Sequence, residues 1–395
     1  MAKNRRSIRL MALALSIPAV LLLILVAAGS GLTVAKADSI AVQEHPLDPA
    51  GVAFEVNPDT RGNLWISDDG ANQVWQFHPA TGVVTTYTGL ANASDARMDP
   101  AGMVWWTNAA NTDLGRISPG TSTMVTWTLP GTGLLWGISF DDAGRVWITD
   151  FLDGMIYRFT PGTTEACTYA VPDTGASNYI LAQGADIWLG DWLNRRLLKL
   201  DPSADLFTIW QLTDVASPMG MAMEANGNLW WADEQLSILA RLEPGSDRMT
   251  AYALPVGAQT EMVALSGGKV WYTEYVKGTV GMLDPAVATG VSATLVKTTA
   301  PVTPTCSIVG AGTSSSVPSS TRTWASTLAA YRQIVNSGGW SVYQMPPNAS
   351  PWGIAVTNEE VWVVDQGPGR QKLAHLLTSL PPIVTREVYL PLIVR

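Results

Sequence analysis

The chain has 395 residues, a formal net charge of −9 at pH 7 and only 14% charged residues. This acidic balance argues against nucleic-acid binding, because affinity for phosphate backbones comes mostly from Lys and Arg, and against binding to an anionic membrane surface. The 17 Trp, 35 Gly and 25 Pro residues are typical of a protein with many short strands and turns.

The first 37 residues have the pattern of an export signal. Residues 10–32 are almost wholly apolar, follow a basic cluster at residues 5–9 and precede Ala35-Lys36-Ala37, which has the small-x-small form of a signal-peptidase site. We therefore predict a signal peptide over residues 1–37 and a protein that is secreted or held at the cell surface. An uncleaved anchor is the alternative, because this apolar stretch could cross the roughly 30 Å core of a bilayer.

A repeat marked by tryptophan runs through the rest of the chain. Six copies follow one another at intervals of 40 to 42 residues, and a seventh lies further on. A proline comes 14 residues after each of the first six, and an aromatic residue 22 after each of the first five. Fixed offsets of this kind indicate an internal repeat. The repeat tryptophans are Trp65, Trp105, Trp147, Trp188, Trp230, Trp271 and Trp362.

Each repeat unit has the pattern of four strands. Apolar and polar residues alternate, for example, over residues 144–150, 155–159 and 166–172. A four-stranded unit of about 40 to 45 residues is one blade of a β-propeller, in which neighbouring sheets bury each other's faces around a channel. The sequence therefore predicts an all-β, seven-bladed β-propeller with four-stranded antiparallel blades over residues 38–376.

An insertion interrupts the sixth unit at residues 286–338, because Trp362 follows Trp271 by 91 residues instead of one period. Its middle, residues 301–323, is rich in Ser, Thr and Pro and is expected to be flexible. We expect a short helix over residues 324–335. A functional insertion and a disordered surface loop both remain open.

The ring needs a strand from the opposite terminus, because an open edge would pair with another chain. We assign residues 40–46 to the last blade, so that the N-terminal strand closes it; residues 388–392 are a competitor. The C-terminal tail, residues 377–395, is a candidate sorting or attachment signal. Cys167 and Cys306 could pair in an oxidising compartment as an accessory tie.

The repeat resembles that of the virginiamycin B lyase family, also called streptogramin lyases. The resemblance lies in Pro-x-Gly-Ile-Ala, then Gly-x-Leu-Trp-Ile-Thr-Asp, then a Pro-Gly or Asp-Pro turn, then aromatic-x-Leu-Pro, and it covers nearly all of the chain after residue 37 except the insertion and the tail. It implies a seven-bladed propeller. It also implies magnesium-assisted elimination at an ester of a cyclic antibiotic, with histidine as the general base.

The chain departs from the family at the positions where the resemblance places the catalytic residues. In the family, two histidines follow the proline that begins the innermost strand of the last two blades. The corresponding residues here are Glu261 and Trp352. The family's neighbouring acid is Ser350, and its first-blade tyrosine is Ala50. Asp365 keeps the family's acid after the last repeat tryptophan. The catalytic set is therefore predicted to be degenerate, since the three histidines of the chain, His45, His78 and His375, begin no innermost strand.

Glu261 is the candidate replacement base. A carboxylate can abstract a proton if burial raises its pKa. The structural alternative is a solvated or hydrogen-bonded acid at the channel mouth.

A polar residue, nearly always acidic, stands three residues after each repeat tryptophan. Such a ring could hold a divalent cation, because magnesium and calcium prefer oxygen ligands, and Asp365 is the candidate ligand. We favour a structural role, because a device present in every blade more plausibly caps the following turn. The seven residues are Asp68, Asn108, Asp150, Asp191, Asp233, Glu274 and Asp365.

The residues that begin the innermost strands differ from blade to blade and should meet at one channel mouth. Two indoles, a thioether and an acid there fit an aromatic-walled pocket with a polar handle, although large side chains could equally plug the channel. The seven positions are Ala50, Ser94, Trp136, Asn178, Met219, Glu261 and Trp352, of which we select Trp136, Asn178, Met219, Glu261 and Trp352 as ligand-binding residues.

The sequence thus favours a secreted, monomeric propeller that binds a small molecule, glycan or peptide at the channel mouth. The alternative is a carbon–oxygen lyase with Glu261 as base and magnesium or calcium near Asp365. A metal-dependent lactonase is less favoured, because we find no distinct set of Glu, Asn and Asp ligands.

Overall fold

The computed structural model describes residues 39–47, 51–121, 123–255, 259–315, 318–323, 326–368 and 371–378. The predicted signal peptide, Ala50 and most of the predicted C-terminal tail lie outside these ranges. The described residues form 34 strands, one 3-10 turn at Pro172–Thr174 and no α-helix. None of them belongs to a helix long and apolar enough to cross a membrane.

The strands follow the repeat. In chain order the first 24 are β1 (Ser39–Pro46), β2 (Ala53–Pro58), β3 (Leu64–Asp68), β4 (Gln73–His78), β5 (Val83–Thr88), β6 (Ala93–Met98), β7 (Val104–Asn108), β8 (Asp113–Ile117), β9 (Thr123–Thr128), β10 (Leu135–Phe140), β11 (Val146–Asp150), β12 (Met155–Thr160), β13 (Glu165–Ala170), β14 (Ile180–Gln183), β15 (Asp186–Asp191), β16 (Arg196–Asp201), β17 (Leu206–Gln211), β18 (Pro218–Met223), β19 (Leu229–Asp233), β20 (Ile238–Glu243), β21 (Arg248–Ala253), β22 (Thr260–Ser266), β23 (Lys269–Glu274) and β24 (Thr279–Leu283). The insertion and the last repeat unit provide β25 (Val291–Thr294), β26 (Val296–Pro301), β27 (Thr305–Ile308), β28 (Ala311–Ser315), β29 (Pro318–Thr323), β30 (Thr327–Ser337), β31 (Trp340–Gln344), β32 (Pro351–Thr357), β33 (Glu360–Asp365) and β34 (Lys372–Leu376).

The fold is an all-β propeller of antiparallel sheets, which we name by their repeat tryptophans. The Trp65, Trp105, Trp147, Trp188 and Trp230 sheets each have five strands: β2-β3-β4-β5-β29, β6-β7-β8-β9-β28, β10-β11-β12-β13-β27, β14-β15-β16-β17-β26 and β18-β19-β20-β21-β25. Trp271 and Trp362 share a nine-stranded sheet in the order β22-β23-β24-β31-β30-β1-β34-β33-β32. The prediction of seven separate four-stranded sheets was therefore wrong in strand count, because the insertion adds a strand to each sheet.

The strands of the insertion, β25 to β30, form an outer belt around the sheets. Its strands β25 to β29 pair in turn with the fourth strands of the Trp230, Trp188, Trp147, Trp105 and Trp65 sheets, and β30 pairs with both β1 and β31. The expected helix over residues 324–335 was wrong in the part that the structure describes: Thr327–Ser337 is strand β30, which pairs with β1 over its first half and with β31 over its second half. Within residues 301–323 the described residues include the paired strands β27, β28 and β29, while the expected flexibility of this segment stays a prediction.

The belt contacts successive sheets at regular intervals along its sequence. An apolar residue every seventh position donates its backbone N–H to a turn between the third and fourth strands of a sheet. The three bonds are Leu295 N to Asp247 O (2.8 Å), Val302 N to Asp205 O (2.9 Å) and Val309 N to Thr164 O (3.0 Å). Cys306 of β27 also forms a disulfide with Cys167 of β13, which fastens the belt to the Trp147 sheet.

The N-terminal strand β1 closes the nine-stranded sheet. It pairs with β34 along one edge and with β30 along the other. The innermost strands also contact one another in a closed cycle, in the order β2, β6, β10, β14, β18, β22, β32 and back to β2.

The core lies between neighbouring repeat units. The repeat tryptophans are buried, and each belongs to an apolar cluster with residues of the next unit; Trp65, for example, packs with Val104 and Trp106. The last one, Trp362, packs with Leu64 and Ile66 of the first unit. The buried apolar residues thus follow the same closed cycle as the innermost strands.

Candidate functional site

Strand register identifies one equivalent residue in each repeat unit, within the innermost strand in six units and, for Asn178, two residues before β14 begins. We define the mouth position as the residue three before the one that pairs with the repeat tryptophan. These residues are Phe54, Ser94, Trp136, Asn178, Met219, Glu261 and Trp352. Six match the residues chosen from the sequence. In the first unit the position belongs to Phe54, whereas the predicted Ala50 lies outside the described residues.

A β-bulge accompanies the mouth position in six of the seven innermost strands, the exception being β14. It places two residues opposite one, bends the strand and re-aims side chains, as bulges near functional sites do. In the Trp65 sheet the bulge is held by a hydrogen bond of 3.0 Å from Glu55 N to Ser67 Oγ. In the Trp147 sheet, Gly137 N donates to Thr149 Oγ1 at 2.9 Å.

Hydroxyl groups tie the mouth positions of neighbouring units together. A Ser or Thr two residues after the repeat tryptophan donates to the backbone carbonyl of the next mouth position in four places: Ser67 to Ser94 (3.0 Å), Thr107 to Trp136, Thr149 to Asn178 (2.9 Å) and Thr273 to Trp352 (2.7 Å). This arrangement fixes the mouth side chains relative to one another.

Six half-buried aromatic rings form a continuous line at the mouth, which we call the aromatic arc. Their centroids are 5.1 to 6.0 Å apart, the spacing at which tilted and stacked rings attract one another. In order along the arc they are Tyr275, Trp352, Phe54, Trp136, Phe151 and Trp192. At its end, Trp192 Nε1 donates to Asn178 Oδ1 at 3.1 Å.

The indole N–H groups of Trp136 and Trp352 are buried and form no close hydrogen bond among the described residues, which is also true of the core tryptophans Trp127 and Trp231; the Tyr179 hydroxyl lies near the Trp352 indole.

The Glu261 carboxyl belongs to the same site. It is buried, and Tyr179 donates its hydroxyl to Oε1 at 2.8 Å. Burial raises the pKa of Glu261 to about 8, the Tyr179 hydrogen bond opposes this shift, and the nearby Glu234 carboxylate adds to it. Glu261 therefore holds a proton near neutral pH and can release it just above.

Two further buried acids belong to this region: Glu55 interacts with Glu261 and Tyr179, and Asp95 lies beside Glu55. The Glu55 carboxyl forms no close hydrogen bond among the described residues; burial, followed by the charge of Asp95, raises its pKa well above the usual value, and the nearby Tyr179 hydroxyl opposes the shift. Asp95 is better satisfied: its carboxyl accepts from Asn57 Nδ2 (2.7 Å), Ile138 N (3.1 Å) and Arg97 Nε (3.1 Å). Burial nevertheless raises its pKa.

Sequence reasoning missed Glu55, Asp95 and Tyr179. All three occupy the position after the mouth residue, which holds Gly or Met in the other units. The sequence signal that could have revealed Glu55 and Asp95 was the presence of an acid at equivalent positions of two adjacent innermost strands. Simple strand alternation assigns this position to the face opposite the mouth residue, and in the strands of Glu55 and Asp95 the bulge removes that alternation.

The acids after the repeat tryptophans cap turns. Asp365 Oδ1 accepts from Ser350 N at 2.8 Å and from Gly367 N at 3.0 Å. Asp150 Oδ1 accepts in the same way from Leu134 N (3.2 Å) and Leu152 N (3.0 Å). A metal role for Asp365 stays a prediction. Within the described ranges, one set of three potential metal ligands lies close together, Glu165, Cys167 and Cys306, and its cysteines form the disulfide.

The structure brings most of the predicted site residues together. Trp136 and Trp352 both contact Phe54, Asn178 ends the arc, and Glu261 bonds Tyr179. Met219 is buried in the same apolar cluster as Tyr179. The three histidines lie on outer strands: His375 stacks on Trp362 at 4.0 Å, and burial lowers its pKa to about 4.

Sheets arranged in a closed cycle, with polar and aromatic residues of different units meeting at one mouth, define a β-propeller. Residues 35–305 match the model of the virginiamycin B lyase family, and the chain belongs to this family.

Two solved structures illustrate the similarity of fold. One is a catalytically inactive histidine-to-alanine variant of virginiamycin B lyase from Staphylococcus aureus with quinupristin. It is 18% identical, has a TM-score of 0.66, and the match covers 85% of this chain and 98% of that one. The other is a streptogramin B lyase, with 17% identity, a TM-score of 0.66 and coverage of 86% and 97%. No curated protein sequence matches this chain.

Proposed function

We propose that the protein binds a small molecule, glycan or peptide at the channel mouth. The observation that carries this proposal is the aromatic arc beside the buried Glu261 carboxyl. Small-molecule sites are mostly apolar with a few placed polar groups, and the arc combines ring surface with the Asn178 amide at one end and the nearby Tyr179–Glu261 pair.

We infer that the ring has seven blades. The cycle of seven innermost strands and the seven apolar clusters between units support this count. In this interpretation the nine-stranded sheet consists of two blades, β22-β23-β24-β31 and β32-β33-β34-β1, joined by β30. A seven-bladed ring brings seven different mouth residues together, which gives the site its mixed chemistry.

Titration calorimetry with quinupristin tests the binding proposal. We expect the wild-type protein to bind it and Trp352→Ala to bind at least about ten-fold more weakly, because a buried aromatic anchor commonly contributes 2 kcal/mol or more. The melting temperature should change little, since Trp352 is half-buried. Ile308→Ala, which truncates a side chain 70% exposed on the outer belt, is the control. Equal affinity of wild type and Trp352→Ala would refute the proposal.

The alternative function is a carbon–oxygen lyase with Glu261 as base, favoured by the pKa of about 8. Its ionised form would take the proton next to the carbonyl while the ester C–O bond breaks, leaving a carboxylate and an alkene in one opened chain. This elimination changes the retention time of quinupristin but not its mass, whereas hydrolysis adds one water. With magnesium present, a product that Glu261→Gln fails to form, at a rate rising towards pH 8, would support the lyase; unchanged quinupristin would exclude it.

We also propose export with removal of residues 1–37. The apolar segment, the triplet at residues 35–37 and the Cys167–Cys306 disulfide support it, since disulfides persist mainly in oxidising compartments. N-terminal sequencing of protein from the culture supernatant should begin at Asp38. Retention of the full chain in the membrane fraction would instead support an uncleaved anchor.

A further inference from the structure

Two acids of the channel mouth adjoin one end of the aromatic arc. The arc ends at Tyr275, whose hydroxyl donates to Glu234 Oε1 at 2.7 Å. The next ring, Trp352, lies near the Tyr179 hydroxyl, which donates to Glu261. The carboxyl groups of Glu234 and Glu261 also interact with each other. The last two rings of the arc are therefore placed next to two carboxyl groups.

The repeat indicates that this acidic character is not balanced at the mouth. The position four residues after the repeat tryptophan belongs to the mouth in every unit, because three of its residues are rings of the arc. The seven residues at this position are Asp69, Ala109, Phe151, Trp192, Glu234, Tyr275 and Gln366. Together with the seven mouth positions they include three acids, Asp69, Glu234 and Glu261, and no basic residue.

The geometry of the rings suits a cation. The centroids of Tyr275 and Trp352 are 5.1 Å apart and their planes are inclined by 48°. Phe54 follows at 5.1 Å from Trp352, with an inclination of 40°. A ring attracts a cation within about 6 Å of its centroid, so one ammonium group can lie within reach of two neighbouring rings at once. All three rings are half-buried, and partial exclusion of water strengthens this attraction.

We propose that the ligand of the channel mouth carries a quaternary or protonated amine, which lies against Tyr275 and Trp352 and beside Glu234 and Glu261. This inference rests on the proposed binding function and narrows it to the cationic members of the ligand classes named there. The rings supply the cation–π attraction, and the carboxyl groups supply the opposite charge.

A cation at this place should displace a proton. Burial raises the pKa of Glu261 to about 8, and a nearby positive charge lowers the pKa of a carboxyl group. The titratable groups that face Glu261 are Tyr179, Glu234, Glu55 and Tyr275, none of them a base. Glu261 should therefore lose its proton when the cation binds below about pH 8, and binding should become tighter as pH rises towards 9.

Ligand-observed NMR titration with choline tests the inference, and 3,3-dimethylbutan-1-ol is the neutral analogue of the same shape. At pH 9 we expect choline to bind about ten-fold more tightly than the alcohol, because only choline gains the cation–π and charge interactions. The affinity for choline should rise several-fold between pH 6 and pH 9, and that for the alcohol should stay constant. Glu261→Gln should lose most of the rise.

Glu234→Gln tests the second acid. The amide oxygen can still accept from the Tyr275 hydroxyl, so the substitution removes the charge and keeps the hydrogen bond. It should weaken choline binding about ten-fold, as expected for the loss of a nearby opposite charge, and leave binding of the alcohol unchanged. Glu359→Gln, which makes the same change in net charge at an exposed turn between β32 and β33, is the matched control and should bind choline like the wild type.

Three results overturn the inference: the wild type does not bind choline, the alcohol binds as tightly as choline, or the folded variants Glu234→Gln and Glu261→Gln both keep the wild-type affinity for choline at pH 9. The quinupristin titration keeps this outcome separate from the proposed function. If quinupristin binds to the wild type and more weakly to Trp352→Ala while choline shows no preference, the mouth remains a binding site and only the cationic ligand is refuted.

Discussion

At the scale of single residues, the channel mouth contains acids whose pKa is raised in the folded protein, so that folding favours their neutral form. Glu261 and Glu55 are both buried, and desolvation is the largest cause of the raised pKa in each. A carboxyl that remains protonated in the folded state binds more protons than it does in the unfolded chain. Folding stability must therefore fall as pH rises over the interval between the two pKa values.

Glu261→Gln tests this linkage. The pKa of Glu261 is about 8 in the folded protein against an ordinary 4.5, so its neutral form supports folding fully below about pH 4.5, and that support is lost as pH rises towards 8. The melting temperature of the wild type should fall across this interval, and that of Glu261→Gln should fall less. Glu359→Gln, at an exposed position, is the control. Identical pH profiles of wild type and Glu261→Gln would show that Glu261 has no raised pKa.

The repeat predicted the mouth positions because each copy places them at nearly the same distance from its tryptophan. The prediction for the first unit selected Ala50 and missed Phe54. Pro49-Ala50-Gly51-Val52-Ala53 has the letters of the motif, but Ala50 lies four residues before the position that strand register selects. The acids Glu55 and Asp95 could not be found in this way, since their position depends on a bulge that the alternation pattern does not reveal.

At the scale of structural elements, the belt shows where local sequence patterns fail. Each belt strand obtains its hydrogen bonds from a sheet edge far away in sequence, so a Ser-, Thr- and Pro-rich composition indicated flexibility where paired strands form. Residues 327–337 have helical spacing, but the pairing of β30 with β1 and β31 overrides it. The seven-residue spacing of Leu295, Val302 and Val309 was the sequence signal that could have predicted regular contacts between the belt and successive sheets.

Cys306→Ser tests the role of the disulfide in holding the belt. The bond closes a loop of 139 residues, for which chain entropy alone sets a stabilisation of about 5 kcal/mol. The variant should melt at a lower temperature and be cut faster by trypsin at Lys297 of β26, and Cys167→Ser should behave identically. Wild-type melting and cleavage in both variants would mean that strand pairing alone holds the belt.

At the scale of the whole molecule, the ring is held by strand pairing between distant parts of the chain. The N-terminal strand β1 lies between β34 and β30, so the first described strand completes a sheet formed by the last repeat unit and the belt. An unpaired sheet edge attracts other chains. The assignment of residues 40–46 to the last unit rested on this argument.

Removal of residues 39–46 should therefore destabilise the whole ring. We expect a lower melting temperature and concentration-dependent association, measured by differential scanning calorimetry and light scattering. Truncation before residue 38 is the control and should leave both properties unchanged. A monomeric shortened chain with the wild-type melting temperature would show that β1 does not close the ring.

The central claim is that different repeat units meet at one mouth to bind a ligand against the aromatic arc. A crystal structure of the protein grown with quinupristin tests it most directly. The account predicts electron density for quinupristin in contact with Trp136 and Trp352, next to Glu261. Side chains that fill the mouth, with quinupristin absent or bound elsewhere, would contradict it.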